Sequence, residues 1–265
     1  MKVVFTDLDG TLLDSETYSF RAALPALKHL KQHNVPWIMV TSKTRAEVEY
    51  WRTVLGNDHP FIVENGGAAF VPLDYFPVEA SGMTRDGYTV LEWGIKHERL
   101  IAVLDAASVS SSCPVAAFHH MTVQQVAAAC DLPVEQAALA KMREYDEPFQ
   151  ILDMSRSEQL LAAITDHGLS WTRGTRFWHI TGTNDKAKAV RAIAGLYDQT
   201  HGRVETIGLG DGPNDLSFLQ TVDVPIVIPS ASSSDLMQLL PKANLARFPG
   251  PLGWNEAVLQ NVAHK

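Results

Sequence analysis

Three observations predict an α/β fold with a doubly wound parallel sheet and a second, smaller α+β unit inserted into it. Short apolar runs alternate with amphipathic helical stretches at the start of the chain. The same alternation resumes near its end. The middle, roughly Gly82 to Gly182, has a different texture, with pairs of helices set between strands.

Taken in order, Val3-Val4-Phe5-Thr6 reads as a short strand buried on both faces, as parallel strands are. Arg21 to Gln32 follows as a helix, with Ala22, Ala23, Leu27 and Leu30 on its apolar side. Pro36 to Val40 is a second strand, Thr44 to Leu55 a helix and Phe61 to Val63 a third strand. In the middle, Thr122 to Cys130 and Val134 to Glu144 are helical. "FQILDM" (149–154) is a strand, Ser157 caps a helix, and "LSWTR" (169–173) and "RFWHIT" (176–181) are strands. The serine run Ser108 to Ser112 reads as a loop. Beyond it, Lys186 to Tyr197 is a helix, Val204 to Leu209 a strand, Pro213 to Leu219 a short helix and Pro225 to Ile228 a strand. Ser234 to Leu240 and Asn255 to Val262 close the chain as helices. The expected division is a main domain of residues 1–81 and 183–265 and an insert of residues 82–182, hinged near Gly82 and Gly182.

The bulk properties narrow the function. The 265 residues fit one large α/β unit or two domains, and 46% hydrophobic with 20% charged residues is an ordinary globular composition. No stretch of about 18 uncharged apolar residues occurs, so no membrane span is expected. The first residues meet acids too early for a signal-peptide core, which predicts a cytoplasmic protein. Cys113 and Cys130 are too few and too far apart for a zinc signature or a disulfide framework and read as buried thiols. A net charge of -8, without a basic run, argues against nucleic acid as a partner. An anionic substrate would then need a local cationic patch or a metal ion.

Two acid-bearing strand ends carry the chemistry. Asp7 and Asp9 follow the first strand, and residues i and i+2 of an extended segment point the same way. Both carboxylates are therefore expected at the carboxyl end of the sheet, where open α/β sheets bind ligands. Gly10 lets the chain turn there. Two such carboxylates repel unless a proton or a hard cation lies between them, and Mg²⁺ takes one or two protein carboxylates. A solvated Asp-rich turn is the plainer reading of Asp7 and Asp9 alone. The second strand end is "GLGDGPNDLSF" (208–218), where Asp211 sits as Asp7 does and Asp215 falls one turn later beside Asn214. A dinucleotide loop is a poorer reading, because the glycines do not follow G-x-G-x-x-G and acids there would repel a pyrophosphate. Thr41-Ser42 ends the second strand, Lys43 follows it, and Lys186 opens a helix. Hydroxyl donors and lysines beside paired acids suit a phosphoryl ligand.

In the order "DLDGT", "VTSK", "NDKAKAV" and "GDGPND", these segments resemble the four motifs of the haloacid dehalogenase superfamily of phosphatases. The resemblance covers both ends of the chain. It implies a Rossmann-like core and, from the spacing between the second and third motifs, a large C2-type cap, specifically C2B. It further implies Asp7 as a nucleophile that becomes a phosphoaspartate, Asp9 as general acid–base, and Thr41 and Lys186 as holders of the phosphoryl oxygens. Mg²⁺ would be held by the Asp7 carboxylate, the Asp9 carbonyl and Asp211, with Asp215 as a ligand or an orienter of metal-bound water.

"VTSKTRAEV", "FIVENGGAAF", "REYDEPF" and "RFWHITGTNDKAKAV" resemble, more finely, the mannosyl-3-phosphoglycerate phosphatase family. That resemblance implies a small phosphorylated sugar or glycosyl-phosphoglycerate as substrate. Its candidate binding residues are Ser42, Lys43, Arg45, the Glu64-Asn65-Gly66-Gly67 loop, Arg143, Arg176 and Asn214. Arg173, Trp178 and His179 are further candidates, whereas His119-His120 read as cap structure. Each arginine has a surface salt bridge as its plain alternative, and Asn65-Gly66 a tight turn. The core motifs leave open a phosphatase for glucosyl-3-phosphoglycerate, a hexose phosphate or sucrose phosphate. They also leave open a phosphomutase and a phosphate-dependent binding protein without turnover; a second acid at Asp9 argues against the last.

Overall fold

The computed structural model describes residues 1–78, 81–173 and 176–262; the ends of the expected main-domain segments at 79–80 and 263–265 lie outside them. The chain opens with β1 (Lys2–Thr6), α1 (Leu24–Gln32), β2 (Trp37–Val40), α2 (Arg45–Leu55) and β3 (Phe61–Val63). It continues through β4 (Ala68–Pro72), β5 (Met83–Arg85) and β6 (Tyr88–Glu92). Then follow α3 (His97–Ser111), β7 (Val115–Ala117), α4 (Val123–Cys130), α5 (Val134–Ala140), β8 (Asp146–Ile151), α6 (Ser157–Asp166), β9 (Ser170–Arg173) and β10 (Trp178–Thr181). The chain closes with α7 (Lys186–His201), β11 (Glu205–Gly210), α8 (Leu216–Leu219), β12 (Val224–Val227), α9 (Ser233–Leu239), β13 (Asn244–Leu245) and α10 (Gly250–Val262).

The large sheet has the order β13-β12-β11-β1-β2-β3-β4-β6-β5. It is parallel from β13 to β3 and antiparallel beyond. β1 lies between β2, which follows it in sequence, and β11, which returns much later. Its carboxyl end is thus the point where the strand order reverses, and loops leaving adjacent strands in opposite directions open a crevice there. Two apolar layers cover the faces. One packs Leu12, Leu30, Trp51 and Trp254 against the sheet, and the other packs Ile193, Tyr197, Phe218 and Leu236. The buried Trp254 indole donates to the Thr6 hydroxyl at 2.9 Å, so the last helix is tied to the end of β1.

A second sheet, β7-β8-β10-β9, is wholly antiparallel and stands apart from the first. α3 and α6 cover it through Leu100, Leu104, Leu160 and Ile164, while α4 and α5 form a hairpin around Val126, Ala137 and Phe177. The mostly parallel core with an inserted α+β cap is the expected architecture. The first sheet runs past the expected junction at Gly82, however, as far as Glu92. The cause is an Asp-Gly hairpin. Asp86 and Gly87 both have positive φ (49° and 84°), which is what a tight antiparallel turn requires.

Other differences have local causes. The serine run is helical: Leu100, Leu104 and Ala107 give α3 a buried stripe, and the Ser110 and Ser111 hydroxyls donate back to the Ala107 carbonyl. β8 begins at Asp146, three positions before the expected Phe149, because its two acids are buried and satisfied by side-chain partners. α2 starts where expected. The Thr44 hydroxyl accepts from the Glu47 amide and the Glu47 carboxylate accepts from the Thr44 amide.

The junction between the two sheets centres on Glu64, Asn65 and Gly66, all with positive φ (47°, 56° and 88°). The Glu64 carboxylate accepts the amides of Glu144 and Tyr145, and the Asn184 amide spans the Glu64 and Tyr145 carbonyls. A methyl at Gly66 would lie 2.4 Å from the Asp185 carbonyl. Gly66→Ala should therefore destabilise the protein by at least ~1–3 kcal/mol, read as a fall in the urea midpoint at unchanged m-value.

Candidate active site

Four chain segments meet at the carboxyl end of β1. The Lys186 amine, 1% exposed at the first turn of α7, donates to Asp7 Oδ1 at 3.1 Å and to Asp215 Oδ1 at 2.7 Å. Asp211 follows β11, and its Oδ1 accepts from the Thr11 hydroxyl at 2.9 Å. Carboxylate oxygens of Asp7, Asp211 and Asp215 lie within 4.8 Å of one another. Asp215 is fixed as well as charged: its Oδ2 accepts the amides of Asp211 and Gly212, each at 3.0 Å. Two glycines make the room. A methyl at Gly10 (φ +75°) would come within 2.6 Å of Asp211 Oδ2, and one at Gly210 within 2.7 Å of Asp215 Oδ2.

Like charge crowded out of water sets the electrostatics. Burial, then Asp215, pushes the Asp7 carboxyl well above the usual carboxylate range, with Lys186 pulling the other way. Burial and Asp215 likewise raise Asp211 to about 7, against the Thr11 hydroxyl. Burial works to lower the Lys186 pKa, yet Asp215 and Asp7 hold it above the ordinary lysine range. One internal ammonium thus faces three carboxylates. Such a set lacks positive charge and offers only hard oxygen donors, so the residues fit Mg²⁺.

Asp9 lies to one side of this cluster. β1 ends at Thr6, so the alternation of an extended strand does not reach Asp9, and Gly10 turns the loop away. The Asp9 carboxylate is paired at 2.9 Å with the buried Lys43 amine, which also lies 3.6 Å from Glu47 and over the Tyr18 ring. Asp9 and Glu47 together hold the Lys43 amine charged despite its burial. Thr41 is buried at the end of β2, where its hydroxyl accepts the Lys43 amide at 3.2 Å.

The remaining sequence candidates fall into two groups. Asn65 and Asn214 meet at 3.2 Å, and Asn65 also reaches the buried cap acid Asp146 at 3.3 Å. Asp146 in turn accepts from His179 at 2.8 Å and lies 3.9 Å from Arg143, whose Nη1 donates to the Ser42 carbonyl at 2.8 Å. Arg176, on the cap, donates to the Cys130 carbonyl and stands close enough to act electrostatically on the Tyr18 hydroxyl, as Lys43 and Asp9 do. The second group is engaged elsewhere. Arg45 pairs with Asp86 at 2.7 Å and with Glu144. Glu64 spends its carboxylate on cap amides, and burial pushes it up to about 8 against Arg143. Gly67 packs under Tyr145, Arg173 lies over the Trp178 ring, and Trp178 packs beside Trp171.

Sequence reasoning passed over Tyr18, Glu47, Asp146 and Asn184. Thr11 was legible as the last residue of "DLDGT". Glu47, Asp146 and Asn184 likewise lie inside "VTSKTRAEV", "REYDEPF" and "NDKAKAV", whereas Tyr18 carried no signal beyond being an aromatic residue in a loop.

The comparisons agree with this geometry. A model of haloacid dehalogenase-like hydrolases matches residues 4–235. A curated relative from Methanococcoides burtonii, named glucosyl-3-phosphoglycerate/mannosyl-3-phosphoglycerate phosphatase, is 42% identical over 98% of this chain and 97% of its own. One of the same name from Persephonella marina is 37% identical over 97% and 95%. Among solved structures, a subclass IIB sugar phosphatase of the same superfamily superposes with a TM-score of 0.66 over 99% of each chain, at 17% identity.

The raised carboxyls make a signed prediction for the metal-free protein. Between about pH 4 and pH 7 the folded state holds protons at Asp7 and Asp211 that the unfolded chain has lost, so stability falls as pH rises through that window. A bound divalent cation relieves the same repulsion. The increase in melting temperature on adding Mg²⁺ should therefore be larger at pH 8 than at pH 5.5, as scanning calorimetry would show.

Proposed function

Because the chain belongs to the haloacid dehalogenase-like hydrolases, we propose that it is a Mg²⁺-dependent phosphomonoesterase acting on glycosyl-3-phosphoglycerates, the mannosyl compound first. The gathering of Asp7, Asp211, Asp215 and Lys186 at one strand end carries the reading. The relatives' names supply the substrate class, and they favour the glucosyl compound as the second substrate over hexose or sucrose phosphates.

In this mechanism an Asp7 carboxylate oxygen attacks phosphorus. The ester P–O bond breaks and Asp9 gives its proton to the leaving glycerate oxygen. Asp9, now a carboxylate, takes a proton from water as that water attacks the phosphoaspartate. The P–O bond to Asp7 breaks, inorganic phosphate leaves, and both acids return to their starting state. Asp7, Asp211 and Asp215, with the Asp9 carbonyl, would hold Mg²⁺, which supplies positive charge against the phosphoryl oxygens. Lys186 and the Thr41 hydroxyl contribute donors to the same oxygens. Lys43, paired with Asp9 at 2.9 Å, orients its carboxyl group. Phosphate monoesters react so slowly unaided that enzymes supply up to ~10²¹-fold, most of it from placement and charge.

Substrate selection falls to the crevice between core and cap. Lys43, over the Tyr18 ring, and Arg176 of the cap offer charge to the glycerate carboxylate. Asn65, Asn214 and His179 offer hydrogen-bonding groups to the sugar.

Phosphate release from a panel of phosphorylated sugars, including mannosyl- and glucosyl-3-phosphoglycerate, tests the assignment. Highest kcat/KM on these two is expected, and highest kcat/KM on a hexose or sucrose phosphate would overturn it; an isomerised sugar phosphate without phosphate release would mean a mutase. Asp7→Asn, nearly isosteric, should abolish turnover with the melting curve preserved. Asp9→Asn should lower kcat by about 10²- to 10⁴-fold. Excess chelator should stop the reaction and Mg²⁺ restore it.

A further inference from the structure

We propose that the cap carries a second divalent-metal site, of the kind filled by zinc, formed by Asp105, His119 and His120. Asp105 lies on α3, and the two histidines occupy the turn after β7. The Nε2 atoms of His119 and His120 stand 3.2 Å and 3.1 Å from the same oxygen, Asp105 Oδ1. Ligands bound tetrahedrally at zinc's 2.0–2.1 Å are separated by about 3.3 Å. The two separations to Asp105 already match the edges of such a polyhedron, and all three donor atoms lie within 4.8 Å of one another.

The inner side of the site is built. His119 Nδ1 faces Glu147 Oε1 at 2.8 Å, and the same oxygen accepts the His119 backbone amide at 2.8 Å. Glu147 is 1% exposed, and its other oxygen is held by His97 Nε2 at 2.7 Å. With Nδ1–H donating to that carboxylate, the His119 Nε2 that faces Asp105 is free to bind a metal ion. A carboxylate behind an imidazole is the arrangement that orients metal-binding histidines. The two rings stand together, with their centroids 3.8 Å apart. One divalent ion serves both rings.

Two imidazole nitrogens and one carboxylate suit zinc rather than magnesium, so the site is chemically distinct from the all-oxygen cluster around Asp7. His120 and Asp105 are about half exposed, which leaves a fourth position to water. None of these residues belongs to the hydrolytic cluster. The ion would pin α3 to the β7–α4 turn and stiffen the cap.

Zinc binding by the Asp7→Asn/Asp211→Asn double variant, in which the hydrolytic cluster is disabled, tests this. One equivalent of Zn²⁺ is expected, not displaced by excess Mg²⁺, and Co²⁺ in its place should show the strong visible absorption of a tetrahedral site. His120→Ala and Asp105→Asn, both at exposed positions, should each abolish that absorption with the far-ultraviolet circular dichroism unchanged. Glu147→Gln should weaken binding by about 10- to 100-fold. Failure of the double variant to take up zinc, or unchanged uptake in His120→Ala and Asp105→Asn, would overturn the proposal.

Discussion

A lysine amine with almost no access to solvent holds the site together. Lys186 joins Asp7, just past the first strand, to Asp215, after the eleventh, and without it three carboxylates would share a nearly dry pocket. A buried charge without a partner costs several kcal/mol. The amine and the acids therefore require one another, and each fixes where the other's segment must lie. This is why β1 and β11 are neighbours at their carboxyl ends and why α7 must begin there. The Asp215 carboxylate completes the arrangement by accepting two amides of its own loop, so the loop cannot relax away from the charge it creates.

A second constraint operates at the edge of the cap. Three successive residues, Glu64 to Gly66, hold left-handed backbone conformations that cost of order 1–3 kcal/mol at a non-glycine residue. The compensation is visible: the Glu64 carboxylate and the Asn184 amide grip the same stretch of cap chain at Glu144 and Tyr145. This places Asn65 between Asn214 of the core and Asp146 of the cap, a polar path across the crevice. The cap is thereby registered against the carboxyl end of the sheet through side chains, while its own apolar layers remain separate from those of the core.

Buried acids in the cap follow the same logic with different partners. Asp146 and Glu147 are adjacent on β8 and point to opposite faces of the small sheet, as neighbours in a strand must. Asp146 meets His179 and Arg143 on the side toward the core, and Glu147 meets His97 and His119 on the other. One dipeptide thus serves the crevice and the histidine cluster.

Legible in the sequence alone were the doubly wound sheet and the acids and lysine that gather at its carboxyl end. Strand-length apolar runs, acids at two strand ends, Gly-Thr after Asp9 and Lys186 at a helix start are local patterns, and local patterns survive in one dimension. The Asp-Gly turn that extends the sheet past Gly82 was equally present in the sequence, as a hairpin signal between two weak strands. Only the tertiary structure decided which charges are shared. That Lys43 serves Asp9 while Arg45 turns to Asp86 and Glu144, that Glu64 grips the cap, and that His119 and His120 converge on Asp105 are outcomes of packing between segments far apart in the chain. A charged side chain has the same local appearance whether it meets solvent, a partner or a ligand, because its partner is chosen by distances that exist only after folding.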